Sequence, residues 1–245
     1  MPKKKIVFIS GSSSGIGFHL AKLFKEKNYT IIINGRDSKK LKRAAVKLGN
    51  CNYIIGDLTK EKNIIQITKT IKKKYNYIDL LICNQGNSDF KNNNLNFKFA
   101  FDNNFFSTIN LISNSKKILR RNSSKIICIS SICGTEAING APHGYSVAKS
   151  ALNFYIKNFS YELAKDGISI NGVVPGNIFF EGSTWYKKMI KNSKKTKKYI
   201  KDNVPINKFG SIEDIFAICK TISDDTSNYL TGSLFKIDGG QTKSL

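Results

Sequence analysis

Short apolar runs rich in β-branched residues recur along the chain at residues 5–10, 29–34, 52–56, 78–84, 125–131, 168–174 and 233–237. Between most of them apolar residues return every three or four positions, as at 16–27, 38–48, 64–75 and 146–165. The first set reads as β-strands and the second as amphipathic helices. The strands are nearly all apolar and do not alternate, which implies burial on both faces. Strands of this kind alternating with helices mean a parallel sheet with right-handed crossovers. No internal repeat, Pro-rich linker or break in composition interrupts the pattern. Residues 1–245 are therefore expected to form one α/β domain, a doubly wound parallel sheet of about seven strands with helices on both faces. Sheets of this kind bind ligands beyond the carboxyl ends of their strands.

Composition adds little at first. A hydrophobic fraction of 40% with 16 Phe suits an ordinary globular core. The basic start Met1-Pro2-Lys3-Lys4-Lys5 is followed by only Ile6-Val7-Phe8-Ile9, far short of a signal sequence. No window approaches the roughly 18 apolar residues of a membrane span. A soluble cytoplasmic protein with no membrane partner is expected. Cys51, Cys83, Cys128, Cys133 and Cys219 are odd in number and contain no CxxC pair, so they read as reduced thiols with no metal to hold.

The net charge of +23 raises the question of a nucleic-acid partner. Lysine, however, is spread along the whole chain beside an excess of Asn and Ile. Arginine, the better reader of phosphates and base edges, is scarce. The charge is read as solvated faces, and no nucleic acid is expected as partner. One run is denser: Lys187, Lys188, Lys191, Lys194, Lys195, Lys197, Lys198 and Lys201 fall within 15 residues.

Two motifs carry chemistry. Directly after the first strand, Gly11-Ser12-Ser13-Ser14-Gly15-Ile16-Gly17 opens a helix. Glycines let the backbone turn sharply and approach a diphosphate, whose charge the helix N-terminus stabilises. The second motif is Tyr145-Ser146-Val147-Ala148-Lys149. Four apart on a helix, Tyr145 and Lys149 share a face. Ala148, Ala151, Leu152, Tyr155 and Phe159 form the apolar stripe expected to pack on the sheet. A free phenol titrates at about 10, and a neighbouring ammonium favours its ionised form, as a general acid–base requires.

The GxxxGxG spacing and the motifs downstream resemble the short-chain dehydrogenase/reductase family, over about residues 5–240. The resemblance implies a Rossmann-type fold and hydride transfer between a nicotinamide cofactor and a carbonyl or alcohol. It assigns the cofactor cradle to Gly11, Ser13, Ser14, Gly15, Ile16 and Gly17. Where NAD-binding relatives carry an acid at the tip of the second strand, this chain has Gly35 followed by Arg36. A guanidinium there pairs with a 2′-phosphate, so NADP(H) is favoured over NAD(H). Asp37 reads as a helix N-cap, or as the NAD-type acid if the alignment slips. Asp57 and Leu58 match the adenine contact. Asn84-Gln85-Gly86 resembles the family's Asn-Ala-Gly, with Gln85 a departure.

By the same resemblance Ser131 hydrogen-bonds the substrate carbonyl, with Ser130 its competitor. Tyr145 donates the proton during reduction, and Lys149 binds the nicotinamide ribose and tunes Tyr145. Asn104 holds a water in a proton relay to that lysine, with Asn103 the alternative. Pro175, Gly176 and Ile178 form the turn beside the nicotinamide. Phe180 stands where the family often has Thr, leaving Ser183 or Thr184 as substitutes. Residues 179–204 fall at the family's variable substrate lid. There the lysines either attract an acidic substrate or carrier or form a solvated helix. The whole chain resembles the 3-oxoacyl-carrier-protein reductase branch, implying a small-molecule or acyl-thioester substrate and a homotetramer or homodimer. A non-catalytic dinucleotide-binding sensor is the rival reading, but it has no need of Ser131, Tyr145 and Lys149 together.

Overall fold

The computed structural model describes residues 4–88 and 95–244. Seven strands form one parallel sheet: β1 (Ile6–Ile9), β2 (Thr30–Gly35), β3 (Asn52–Ile55), β4 (Leu80–Cys83), β5 (Lys125–Ile129), β6 (Ser169–Pro175) and β7 (Leu234–Ile237). Their order is β3-β2-β1-β4-β5-β6-β7. The winding reverses between β1 and β4, which opens a crevice there at the carboxyl ends of the strands.

The strands are apolar throughout because successive side chains feed two cores. Val7 and Ile9 face one cluster, with Leu20, Ala21 and Phe24 of α1 (Gly15–Glu26), Leu41 and Ala44 of α2 (Ser38–Lys47), and Ile215 and Ile222 of α9 (Ile212–Asp224). Ile6 and Phe8 face the other, with Ile64, Ile67 and Ile71 of α3 (Glu61–Tyr75), Leu111 and Ile112 of α5 (Ser107–Ser115), and Leu152, Ile156 and Leu163 of α6 (His143–Ala164). Burial on both faces holds for the inner strands and fails at the rim. In β3, Ile54 packs inward while Tyr53 and Ile55 are 40% and 45% exposed.

The helix α6 also departs from the expected stripe. Its buried residues are Gly144, Ala148, Lys149, Leu152, Asn153, Ile156, Ser160 and Leu163, while Ala151, Tyr155 and Phe159 are half-buried. The polar Lys149 and Asn153 go inside because each finds hydrogen-bond partners there, described below. The helix α4 (Leu95–Phe101) joins α5 through one π-helical turn, Asp102–Phe106. Two short helices, α7 (Thr184–Lys191) and α8 (Ser193–Asn203), follow β6. All five cysteines are free; Cys83, Cys128 and Cys219 are buried, and Cys51 and Cys133 half-buried. Among the described residues no helix is long and apolar enough to cross a membrane.

Candidate active site

At the crevice, β1 runs into the glycine turn and α1. Gly11 holds φ +57, and a Cβ on it would sit 2.9 Å from Gln85 Cα, so a side chain is excluded on two counts. Ser12 is buried and does not face the crevice. Its N–H donates to Asn34 O at 2.8 Å and its hydroxyl accepts from Asn34 N at 3.0 Å, tying the turn to β2. Ser14 is the N-cap of α1 yet its side chain makes no capping bond. The first-turn N–H groups of α1 are thus left for an anion. Asn84 serves the turn more than the crevice: its amide donates to Gly11 O at 3.0 Å and Ser10 O at 3.3 Å.

Gly35 closes β2 against the turn, and a Cβ there would lie 3.2 Å from Ser13 Cβ and Oγ. Arg36 is exposed at the mouth of the crevice, and Asp37 caps α2 by accepting from Lys40 N at 2.9 Å. The Asp37 carboxylate is thereby engaged by its own helix. Lys40 stands beside them on the crevice wall, a second cation that strand-tip reasoning passed over. Asp57 is oriented by Thr59, whose N–H and hydroxyl donate to Oδ1 at 3.0 and 2.9 Å. Leu58 is buried beside it.

The side chains that the sequence marks as candidates for the chemistry come from β5, α6 and the π-helical turn. Of the two serines ending β5, Ser130 is buried and donates to Asn153 Oδ1 at 2.6 Å. Asn153 in turn donates to Gly134 O at 3.0 Å. Ser131 lines the crevice with Tyr145 and accepts from Cys133 N at 3.2 Å. Gly134 lets α6 approach: a Cβ there would lie 2.6 Å from the backbone carbon of Lys149.

Lys149 is 3% exposed, and its Nζ donates to Ile129 O at 2.8 Å. That Nζ lies 5.8 Å from the Tyr145 ring centre. Asn104 is fully buried in the π-helical turn, where the wider turn aims it inward. Its Nδ2 donates to Asn87 O and Ala100 O, and its Oδ1 accepts from Asn87 N. A Cβ on Gly86 would sit 2.6 Å from Asn104 Oδ1 and 3.4 Å from Lys149 Nζ, so this glycine leaves both groups converging on one point. Asn103 instead bonds Phe99 O in its own helix.

Burial dominates the protonation states. It pushes the Tyr145 phenol up to about 12, opposed by the nearby Ser131 hydroxyl. It drives the Lys149 ammonium down to about 8. Helical spacing predicts an ammonium that lowers the phenol; in this geometry burial governs Tyr145, Ser131 is the group that lowers it, and Tyr145 is a neutral donor at neutral pH.

On the far side of the crevice, Pro175 ends β6, Gly176 N donates to Ile237 O at 2.8 Å, and buried Ile178 pairs with Gly210. Phe180 packs edge-on against His19 of α1, ring centres 5.5 Å apart. Ser183 caps α7, accepting from Tyr186 N at 3.0 Å, while Thr184 is exposed at the start of α7 on the crevice wall. Trp185, Tyr199 and Phe209 pack together beneath α7 and α8. Lys187 and Lys188 reach the crevice wall, whereas the other lysines of that run do not line it. The crevice holds about 1140 Å³ and runs unbroken from Arg36 past the glycine turn to Tyr145 and Trp185.

Sequence reasoning missed Asn153, although a polar residue four after Lys149 was the signal. It also missed the π-helical turn, for which the sequence carries none.

A family model described as enoyl-(acyl carrier protein) reductase matches residues 11–242. The chain is similar to a 3-oxoacyl-[acyl-carrier-protein] reductase of Rickettsia prowazekii, 31% identical over 244 residues and 96% of both chains. It shares its fold with L-sorbose reductase from Gluconobacter frateurii, solved with NADPH and L-sorbose, at TM-score 0.88, 24% identity and coverage of 99% and 98%. A structure of ElxO with NADP bound gives TM-score 0.88 at 27% identity, covering 98% and 99%. With the glycine turn, the Ser131–Tyr145–Lys149 cluster and a matching model over nearly its whole length, this chain belongs to the short-chain dehydrogenase/reductase family of NAD(P)-linked oxidoreductases.

Proposed function

We propose that the chain reduces a carbonyl to an alcohol with NADPH. The observation that carries this reading is that Ser131 and Tyr145 line one end of a crevice whose other end is the glycine turn, with buried Lys149 and Asn104 behind them next to Gly86. The residues fit a dinucleotide: the uncapped first turn of α1 offers N–H groups to a diphosphate, and Gly35 leaves room beside Arg36. Gly11, Ser13, Ser14, Gly15, Ile16 and Gly17 would hold the diphosphate, Asp57 and Leu58 the adenine, and Asn84, Gly86, Pro175, Gly176 and Ile178 the nicotinamide end. The bound nicotinamide supplies the hydride.

The protein's own part is polarisation and proton supply. Tyr145, a neutral phenol, gives its proton to the carbonyl oxygen as charge develops there. Ser131 donates a second hydrogen bond to the same oxygen. Lys149, held by Ile129 O, stabilises the phenolate that Tyr145 becomes, and its proximity to Asn104 Oδ1 supports a proton path inward through Asn104. Arg36 and Lys40 together favour a 2′-phosphate, hence NADPH over NADH.

Lys187 and Lys188 on the crevice wall, with the remaining lysines of α8 outside it, favour a substrate bearing negative charge or an acidic carrier. Residues 179–204 then act as its lid. Exposed Phe99, Phe106, Val147, Phe154 and Tyr161 on α4, the π-helical turn and α6 favour assembly into a homodimer or homotetramer.

The test is turnover of NADPH and NADH with 3-oxoacyl thioesters, keto-sugars and simple ketones, beside direct cofactor binding and Tyr145→Phe. Turnover that falls at least a hundredfold (roughly the worth of general acid catalysis) in the variant while binding survives supports the reading. Failure of both cofactors to bind the unaltered chain ends it. Binding without turnover of any substrate leaves the sensor.

A further inference from the structure

The departure at Gln85 has a structural counterpart. Its side chain spans two elements that the backbone does not join. Oε1 accepts from the Ser10 hydroxyl at the end of β1, and Nε2 donates to Thr108 Oγ1 at 3.0 Å on α5. Both partners are buried, Ser10 at 0% and Thr108 at 1% exposure. On the β1 side the junction is tight. Ser10 Oγ also accepts from Asn84 N at 3.0 Å, and the Gly11 turn lies against the Gln85 backbone. On the other side, Thr108 stands in the first turn of α5, directly after the π-helical turn that aims Asn104 at Lys149. An alanine at this position reaches neither hydroxyl and leaves the one on Thr108 without this buried partner.

We infer that Gln85 is a positioning residue that locks the cofactor-binding turn to the helix carrying Asn104. Part of the crevice that grips the dinucleotide and part that moves the proton thereby hold one spacing. Its consequence for turnover rests on the reductase reading; the mechanical link itself does not.

The experiment compares Gln85→Met, which keeps the volume and loses both hydrogen bonds, with Thr108→Val and the double variant. Amide hydrogen exchange is followed over residues 11–17 and 102–108, with and without NADPH, beside melting temperature and kcat. Both segments are expected to exchange about tenfold faster in each single variant, the worth of one buried hydrogen bond. The double variant is expected to go no further, because the two substitutions cut the same link. NADPH is expected to slow exchange in both segments of the unaltered chain, and only in residues 11–17 of the variants. Where turnover is measurable, kcat falls by a similar factor with the KM for NADPH nearly unchanged.

Unaltered exchange at residues 102–108 in Gln85→Met overturns the proposal, as do additive effects of the two substitutions. A fall in melting temperature with both exchange rates and kcat intact assigns Gln85 to packing and also overturns it. If NADPH binds no form of the chain, the reductase reading fails, and the ligand-free exchange still decides the link.

Discussion

The buried Lys149 sets up a stability experiment whose sign follows from its surroundings. Burial brings its ammonium from 10.5 down to about 8. At about 1.4 kcal/mol per pH unit, that displacement corresponds to roughly 3 kcal/mol of cost for carrying the charge inside. Below pH about 8 both folded and unfolded chains hold the proton, and the full cost is present. Between about 8 and 10.5 the unfolded chain holds more protons than the folded one, so stability rises with pH. Above that window the cost is gone. Lys149→Met removes the charge and keeps an unbranched chain in the same space. It also loses the hydrogen bond to Ile129 O, worth about 1 kcal/mol. Urea unfolding should therefore find the variant more stable than the parent by about 2 kcal/mol at pH 7. The advantage should shrink steadily toward pH 10 and then change sign. A difference that is flat across this range, or that grows with pH, would refute the claim that desolvation governs this lysine. The result also bears on function, since the site would then retain a group that costs stability at neutral pH, as reactive sites do.

Other expectations are as specific. Arg36→Leu should weaken NADPH binding about tenfold to a hundredfold in a fluorescence titration and leave NADH unchanged; equal losses for both cofactors would remove the 2′-phosphate role. Ser131→Ala should lower kcat by about a hundredfold or more with stability intact. Ser130→Ala should instead cost about 1–3 kcal/mol of stability, because Asn153 Oδ1 loses its buried donor. The reverse pattern would exchange the roles of the two serines. Gly134→Ala should cost about 1–3 kcal/mol by driving a methyl group into the backbone of α6, measured as a drop of several degrees in melting temperature.

Much of this molecule is legible from its residues alone. All seven strands emerge as apolar runs, and in the inner five this follows because burial of both sheet faces demands such residues at nearly every position. Asp37 reads as an N-cap because a short carboxylate beside free helix N–H groups has one obvious local partner. Tyr145 and Lys149 are paired by helical spacing, and the glycine turn by its place between strand and helix. These features depend on contacts a few residues apart, which sequence order encodes directly.

What depends on distant contacts was settled elsewhere. Ser130 and Ser131 are neighbours of identical chemistry, both at the crevice, and only Asn153, 23 residues away, engages the hydroxyl of one of them. Asn104 faces Lys149 and Asn103 does not because a π-helical turn rotates the chain there. The inner face of α6 includes Lys149 and Asn153, against the apolar pattern, since Ile129 O, Ser130 and Gly134 O wait to bond them. The same burial leaves the Tyr145 phenol at about 12, where spacing alone argues for a lowered value. Local periodicity determines which elements form and which residues they carry. Desolvation and hydrogen-bond pairing exist only once those elements are packed, and they decide which of the residues face the crevice and in what charge state.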